Sequence, residues 1–551
     1  MTVEMLTLIV VAVIVVTLAN AYASRIGVAG PLVIVAIGVA VSLIPAVPAL
    51  TVPPEIILVG ILPPLLYSAA VAAPAREFKR DFGAISGLAV VLVVVVSSLV
   101  LGAFFSWAIP SLGFPLAVAL GAILSPTDAV ATSIVRAVGA PRRVVTVLEG
   151  ESLLNDATAL VTLRTAIAAT AAGFSVVVTV GSFLWSVSAA IVVGALVGFV
   201  ALRLRAWTRS ATANTALGLT IPYLAYVPTE TLGGSGLVAA VVAGLVCGQG
   251  AARWLTPEQR ISDKLNWSTI EFVLEGVVFL AMGLQLWGLV ERNLAAGEGL
   301  GRPLALAAIA FLLVVAVRAA YVFPLIGVRN VVLRRTLDRR ISRPSRSSTM
   351  RRADPGLARA DRAYFESAPL TWRHSTILVW AGMRGVVTLA AAQTLPANTP
   401  ERDLLVLIAF LVAAGSLALQ GGTLPALARG LGLAGEGREG PDPAEIRAID
   451  DELRRMTARA VADRQIILPG VGDDPAEALA HSHVYRTVRA DREGVGGEEG
   501  LMRELAVIRG MRSQLRVLAR TGRYGTPALR YVRDELDAYE ISVKLHLDGS
   551  D

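Results

Sequence analysis

Thirteen stretches of this chain are each apolar enough to cross a bilayer: roughly 4–22, 31–49, 55–72, 84–109, 115–136, 145–171, 176–202, 214–229, 234–250, 269–290, 302–324, 374–394 and 403–428. A spanning helix needs about 20 mostly apolar residues. Lipid satisfies no backbone N–H or C=O, so such a chain is committed to structures that satisfy them internally. The stretches have helical length, which predicts an all-α integral membrane protein. Composition agrees, with 54% of 551 residues hydrophobic and 17% charged, against about 25% charged in soluble proteins. Mean hydropathy is +0.64. A soluble enzyme is excluded. Cys247 is the single cysteine, so there is neither an internal disulfide framework nor a multi-cysteine metal site.

The first stretch has no small-residue cleavage site after it and reads as a span rather than a signal peptide. The eighth is short and holds Pro222 and Pro228, which makes it the least regular. Net charge is +7, and its distribution argues for loop asymmetry across a bilayer rather than nucleic-acid binding. With the N-terminus outside, the inward loops hold Arg25; Arg76, Lys79 and Arg80; Arg136, Arg142 and Arg143; Arg203, Arg205 and Arg209; Arg253, Arg260 and Lys264; and a dozen arginines from Arg329 to Arg373. The outward loops hold Arg292, Arg302 and Arg402. An odd number of spans then puts the C-terminus in the cytoplasm.

Two domains follow: 1–430 in the membrane, and 431–551 as a small helical cytosolic tail. The loop 329–373, with Arg343-Pro344-Ser345-Arg346, suits a flexible segment near anionic headgroups. In the tail, helical periodicity covers 444–466 and 499–520, with Gly494–Gly500 reading as a linker. The tail reads as a solvated appendage, a dimer contact or a regulatory element. His481 and His483 stand two apart with no further ligand nearby, so no metal site is expected there.

Ionisable residues at membrane depth cost at least about 2.5–3.5 kcal/mol each, so each one asks for a function. Here they cluster. The fifth span reads Ser125-Pro126-Thr127-Asp128, and the sixth reads Glu149-Gly150-Glu151-Ser152-Leu153-Leu154-Asn155-Asp156. Glu271 and Glu275 lie in the tenth, Arg318 in the eleventh and Arg384 in the twelfth. At 1.5 Å per residue Asp156 lies about 16 Å into its span and Asp128 about 20 Å into one running the other way. Both are near the midplane of a ~30 Å core. Pro126 removes an N–H, so the fifth helix is expected to break beside Asp128, as helices do at transporter sites. Ser152 and Asp156 are four apart on one helix face, and Glu151 and Asn155 share the adjacent face. Thr127, Asp128, Ser152 and Asp156 offer hard oxygen ligands for a small alkali cation or a proton. The alternative is that the charges only pair with arginines to dock helices. That suits Glu151 with Arg384, and Glu275 is divided between ion path and structural partner. Arg164 carries no assignment.

Ser125-Pro126-Thr127-Asp128-Ala129-Val130-Ala131, the 149–156 run and Arg384-Gly385 together resemble motifs of the monovalent cation:proton antiporter-1 family. That family holds archaeal and bacterial sodium/proton antiporters and the animal sodium/proton exchangers. Leu62-Pro63-Pro64-Leu65-Leu66-Tyr67, Ser235-Gly236-Leu237-Val238-Ala239 and the segment from Arg318 to Phe323 also look like family segments, and the resemblance runs in order over about 1–430. It implies a thirteen-helix fold with inverted repeats and broken midplane helices, a core domain moving against a dimerisation domain, and a homodimer. By resemblance, Asp156 is the essential ion-binding aspartate, Asp128 and Thr127 its partners on the broken helix, and Ser152 a further ligand. Glu151 is a carboxylate near the site, and Asn155 marks the electroneutral branch. Arg384 is the buried arginine that orients this group, and Arg318 is a second structural arginine. Glu275 matches only part of the family, and the tail has no counterpart.

The expected activity is exchange of a monovalent cation for a proton by alternating access in the cell membrane, serving salt tolerance and pH control. Sodium is the expected ion and potassium the alternative, with lipid as the partner and no cofactor or nucleic acid. Gly233-Gly234-Ser235-Gly236 formally fits an intramembrane serine protease, but His374 lies at a helix edge. A passive channel would need ligand rings from several subunits, and a pure scaffold would leave the midplane carboxylates without a use.

Overall fold

The structure, a computed structural model, describes residues 3–463 and 498–548, apart from 27, 46–51, 173–175, 209, 296, 298, 343–364, 366–368, 438–439, 441 and 522. The Arg343–Arg346 segment, His481 and His483, and 494–497 of the expected linker lie outside the described residues. Every element described is helical. The chain divides into two compact units. The first comprises Met1–Leu255, Ser262–Val331 and Leu370–Arg438, and the second Thr256–Ile261, Val332–Pro369 and Glu439–Asp551.

In the first unit the apolar stretches become α1 (Val3–Ile26), α2 (Gly30–Ser42) and α3 (Leu62–Ala72), the last entered through a π-helical turn at Ile56–Ile61. Next come α4 (Ala75–Ser86) and α5 (Ser98–Ala108), joined by π-helical Gly87–Ser97, then α6 (Gly113–Leu124) and α7 (Val130–Ala137). Long helices follow: α8 (Arg142–Ala172), α9 (Val176–Trp207), α10 (Ala211–Thr231), α11 (Gly236–Trp254), α12 (Pro257–Leu284), α13 (Leu286–Ala295) and α14 (Gly301–Ser342). The unit ends with α15 (Trp372–Trp380), α16 (Val386–Gln393), α17 (Arg402–Ser416), a π-helical Leu417–Gly421 and α18 (Gly422–Gly430). Each expected stretch therefore falls on helix, including the eighth, where α10 carries Pro222 and Pro228 inside it. The second helix is shorter than expected, ending at Ser42. Among the described residues, six helices are long and apolar enough to cross a membrane, and shorter apolar ones accompany them.

The fifth and twelfth stretches are each broken. Between α6 and α7 the chain runs through Ser125–Ala129, as Pro126 predicts, and between α15 and α16 it runs through Ala381–Gly385. The second break was not read from the residues. Its signal was Gly382 and Gly385 on either side of a lone arginine.

Helices pack through small residues, since apolar lipid supplies no drive to bury apolar faces and close backbone approach must do the work. On α9 a Cβ at Gly194 would meet Ala239 O of α11 at 2.4 Å. The opposite face of α9 is apolar and exposed at Val178, Leu184, Val192, Leu196 and Phe199, as befits a side turned to lipid. In the second unit, α19 (Pro443–Ala462), α20 (Glu498–Thr521) and α21 (Thr526–Asp548) enclose their own core of Ile449, Leu453, Ile508, Leu515, Val532 and Leu536. Arg512 meets the buried Glu540 at 2.6 Å there. The 444–466 periodicity thus becomes a helix ending at Ala462.

Overpacking a tight helix contact costs about 1–3 kcal/mol. Gly194→Leu is therefore expected to lower the melting temperature of the purified protein. Gly181→Leu, on the same helix with nothing within 4 Å of its Cβ position, is expected to leave it unchanged.

Candidate functional site

The two broken segments meet. Asp128 N donates to Met383 O at 2.8 Å, which joins one unwound strand to the other. Helix α6 ends beside them with carbonyls that no following turn can satisfy. Arg384 meets them: its Nε donates to Leu124 O at 2.8 Å and its Nη2 to Ser125 O at 3.3 Å. Its Nη1 donates to Gly382 O, and its backbone N donates to Ser416 Oγ at 2.8 Å. A cation at a helix C-terminus is also favoured by the helix dipole. Asp128 serves the opposite end, accepting from Val130 N of α7 at 2.9 Å.

Behind the crossing lies a buried polar network. Glu151, fully buried, takes both nitrogens of the Arg318 guanidinium, with Nη2–Oε2 at 2.8 Å. The expected pairing of Glu151 with Arg384 is thus corrected. The turn of α14 aims Arg318 at Glu151, while Arg384 is spent on carbonyls. Arg318 Nε also donates to Leu378 O of α15 at 2.9 Å, so one arginine links α8, α14 and the second broken helix. Thr127 donates to Glu151 Oε1 at 3.2 Å and accepts from Asn155 Nδ2 at 2.6 Å. Asn155 Nδ2 also reaches Thr127 O at 3.2 Å. Asn155 Oδ1 is buried without a partner among the described residues.

The other face of α8 is different. Asp156 and Ser152, each 8% exposed, have no hydrogen-bond or ion-pair partner among the described residues. The Asp156 carboxylate lies within electrostatic range of Asp128, which is half-buried. Glu275, half-buried on α12, also lacks an arginine or lysine partner, and it lies within range of Asp128 and Glu271. Among the described residues Glu275 thus has no arginine or lysine to dock against. Among the described residues no three His, Cys, Asp or Glu side chains gather closely enough to hold a metal ion. Arg164, left without a role by the sequence, pairs with Glu230 of α10 at 2.6 Å.

Chemically this is a pair of carboxylates with an adjacent hydroxyl, held by a spent set of arginines. Its fit is tight: a Cβ at Gly385 would sit 1.2 Å from Asp128 Oδ2. Gly385→Ala must therefore displace Asp128, and transport is expected to fall about tenfold or more while the protein still purifies as a monodisperse species. Removing one partner of a buried ion pair costs about 3–5 kcal/mol, whereas replacing both is often neutral. Arg318→Leu is accordingly expected to lower thermal stability sharply, and adding Glu151→Leu to recover most of the loss.

Comparison with known proteins places the chain in a family. Residues 9–430 fit the family model described as sodium/hydrogen exchanger, transmembrane. An uncharacterised Na(+)/H(+) exchanger of Mycobacterium bovis is 30% identical over 434 residues, covering 77% of this chain and 74% of the relative. The low-affinity Na(+)/H(+) antiporter NhaS1 of a Synechocystis strain is 29% identical, covering 78% and 74%. The solved sodium proton antiporter MjNhaP1 of Methanocaldococcus jannaschii shares the fold at a TM-score of 0.57, with 17% identity, over 77% of this chain and 98% of that one. With the motif residues gathered at two crossed, broken helices and the match extending over most of its length, the chain belongs to the sodium/hydrogen exchanger family of multi-pass membrane proteins.

Proposed function

We propose that the protein exchanges a monovalent cation, sodium, for a proton across the cell membrane. The observation that carries this reading is Asp156: a carboxylate near mid-span with no counter-ion among the described residues, near a second carboxylate and one helical turn from the Ser152 hydroxyl, which has no partner among them either. A bare charge cannot stay in such a place at tolerable cost. It is neutralised by a proton or by a cation, and the two compete. Only the neutralised site crosses the low-dielectric barrier, which makes the exchange obligatory. Asp156, Asp128 and Ser152 hold the cation, with Thr127 and Glu151 fixing the wall behind it. Asn155 is neutral, so one positive charge moves each way and membrane potential has no grip. One pH unit then supports a tenfold cation gradient, about 1.36 kcal/mol. In a cell such exchange serves salt tolerance and pH control.

The same reading takes thirteen crossings related by an inverted repeat, with the N-terminus outside, the C-terminus cytoplasmic and two copies per assembly. The paired breaks at Ser125–Ala129 and Ala381–Gly385 support the repeat, and the alternation of arginines between loops supports the orientation.

In liposomes with an internal pH dye, sodium is expected to move protons at a rate that clamping the voltage with valinomycin and potassium leaves unchanged. Asp156→Asn is expected to abolish that flux, and Glu151→Gln to lower it less. Undiminished flux from a well-folded Asp156→Asn protein would remove the assignment. A response to potassium alone would keep the mechanism and change the ion.

A further inference from the structure

One buried amide in the membrane unit has no visible use. The Gln420 side chain is fully buried, and neither its Oε1 nor its Nε2 has a hydrogen-bond partner among the described residues. Gln285 and Gln393 each leave one amide atom unmet, but they bond to each other. Among the described residues Gln420 is thus the buried amide with both ends bare. An amide taken out of water without partners is destabilising, so each one asks for an explanation.

Its place in the fold supplies one. The thirteenth stretch passes the second broken helix, and polar side chains on it reach across. Ser416 Oγ accepts from Arg384 N at 2.8 Å, and Thr423 Oγ1 accepts from Trp380 Nε1 at 2.8 Å. Trp380 ends α15, and Arg384 lies in the break that follows. Gln420 stands between these two contacts, four residues after Ser416 and three before Thr423. Beside it, a Cβ at Gly421 would lie 3.5 Å from Ile134 Cδ1 of α7, the second half of the first broken helix. The segment Leu417–Gly421 is π-helical, a rare geometry that gathers at functional sites. Freed backbone groups belong to the same region. Gly385 opens α16 without a side-chain cap, so the first N–H groups of that helix have no partner within it. An amide can accept from an N–H through Oε1 and donate to a C=O through Nε2.

We propose that Gln420 is a positioning residue for the crossing: its amide is unmet in this state and hydrogen-bonds the freed backbone of the broken helices in the state that faces the other side of the membrane. This rests on the exchange reading above. Alternating access needs two states close in free energy. Bonds from Arg384, Asp128 and Ser416 favour the arrangement seen here. An unmet amide beside them raises this state, and its pairing lowers the other, so Gln420 draws the two together.

The test is Gln420→Met, which keeps the length of the side chain and removes the amide. The melting temperature of the purified protein is expected to stay unchanged or rise, while the maximal rate of sodium/proton exchange in liposomes falls about tenfold. Hydrogen exchange at the backbone amides of Met383 and Gly385 is expected to slow, because the state that remakes their surroundings is visited less often. Gln420→Asn, which keeps an amide on a shorter arm, is expected to retain more of the rate than Gln420→Met. A lowered melting temperature, or a Gln420→Met protein that does not assemble, would show the amide to be already met in this state, by bound water for instance, and would overturn the proposal. An undiminished rate would overturn it too. Wild-type protein that moves no protons with any cation would instead overturn the exchange reading, and the hydrogen-exchange comparison, which needs no transport, would still decide the role of Gln420.

Discussion

Two helices stop partway along their apolar stretches, and the rest of the site depends on how the backbone groups they release are satisfied. In hydrocarbon no water meets them, and each unmet group costs several kcal/mol. Arg384 takes the carbonyls of Leu124 and Ser125, Asp128 takes an N–H at the start of α7, and the two unwound strands bond to each other through Asp128 and Met383. These bonds meet freed backbone groups of both breaks without an ion. They can hold Asp128 in place without asking the ion to complete the fold.

The same economy explains why arginines and carboxylates do not simply cancel. Arg318 neutralises Glu151 and, through Leu378 O, ties α14 to the second broken helix. Thr127 and Asn155 close that network from the side of the fifth and sixth stretches. With Arg318 and Arg384 both committed, the opposite face of α8 leaves Asp156 and Ser152 without a hydrogen-bond or ion-pair partner among the described residues. The structural charges and the working charges share a helix, one residue apart: Glu151 beside Ser152, and Asn155 beside Asp156. Helical geometry turns neighbours in sequence onto different faces, so one short run serves both purposes.

Much of this was legible in the residues. Each apolar stretch falls on helix, Pro126 announced the first break, and the cost of charge at depth singled out Asp128 and Asp156. Partner choice was not legible, because whether Glu151 meets Arg318 or Arg384 depends on how α14 and the second broken helix are rotated about their axes. The second break hid in a continuous apolar stretch, 374–394, where Gly382 and Gly385 were its only local sign. The π-helical segments at Ile56–Ile61, Gly87–Ser97 and Leu417–Gly421 were hidden too. An extra residue per turn leaves an all-apolar run looking the same.

The central claim is that one carboxylate holds either a proton or a cation. It is tested most directly by adding sodium to purified, weakly buffered protein at neutral pH and measuring the protons released. The account predicts one proton released for each sodium bound, with both events absent in Asp156→Asn. Sodium binding with no proton release, or undiminished release from Asp156→Asn, would contradict it.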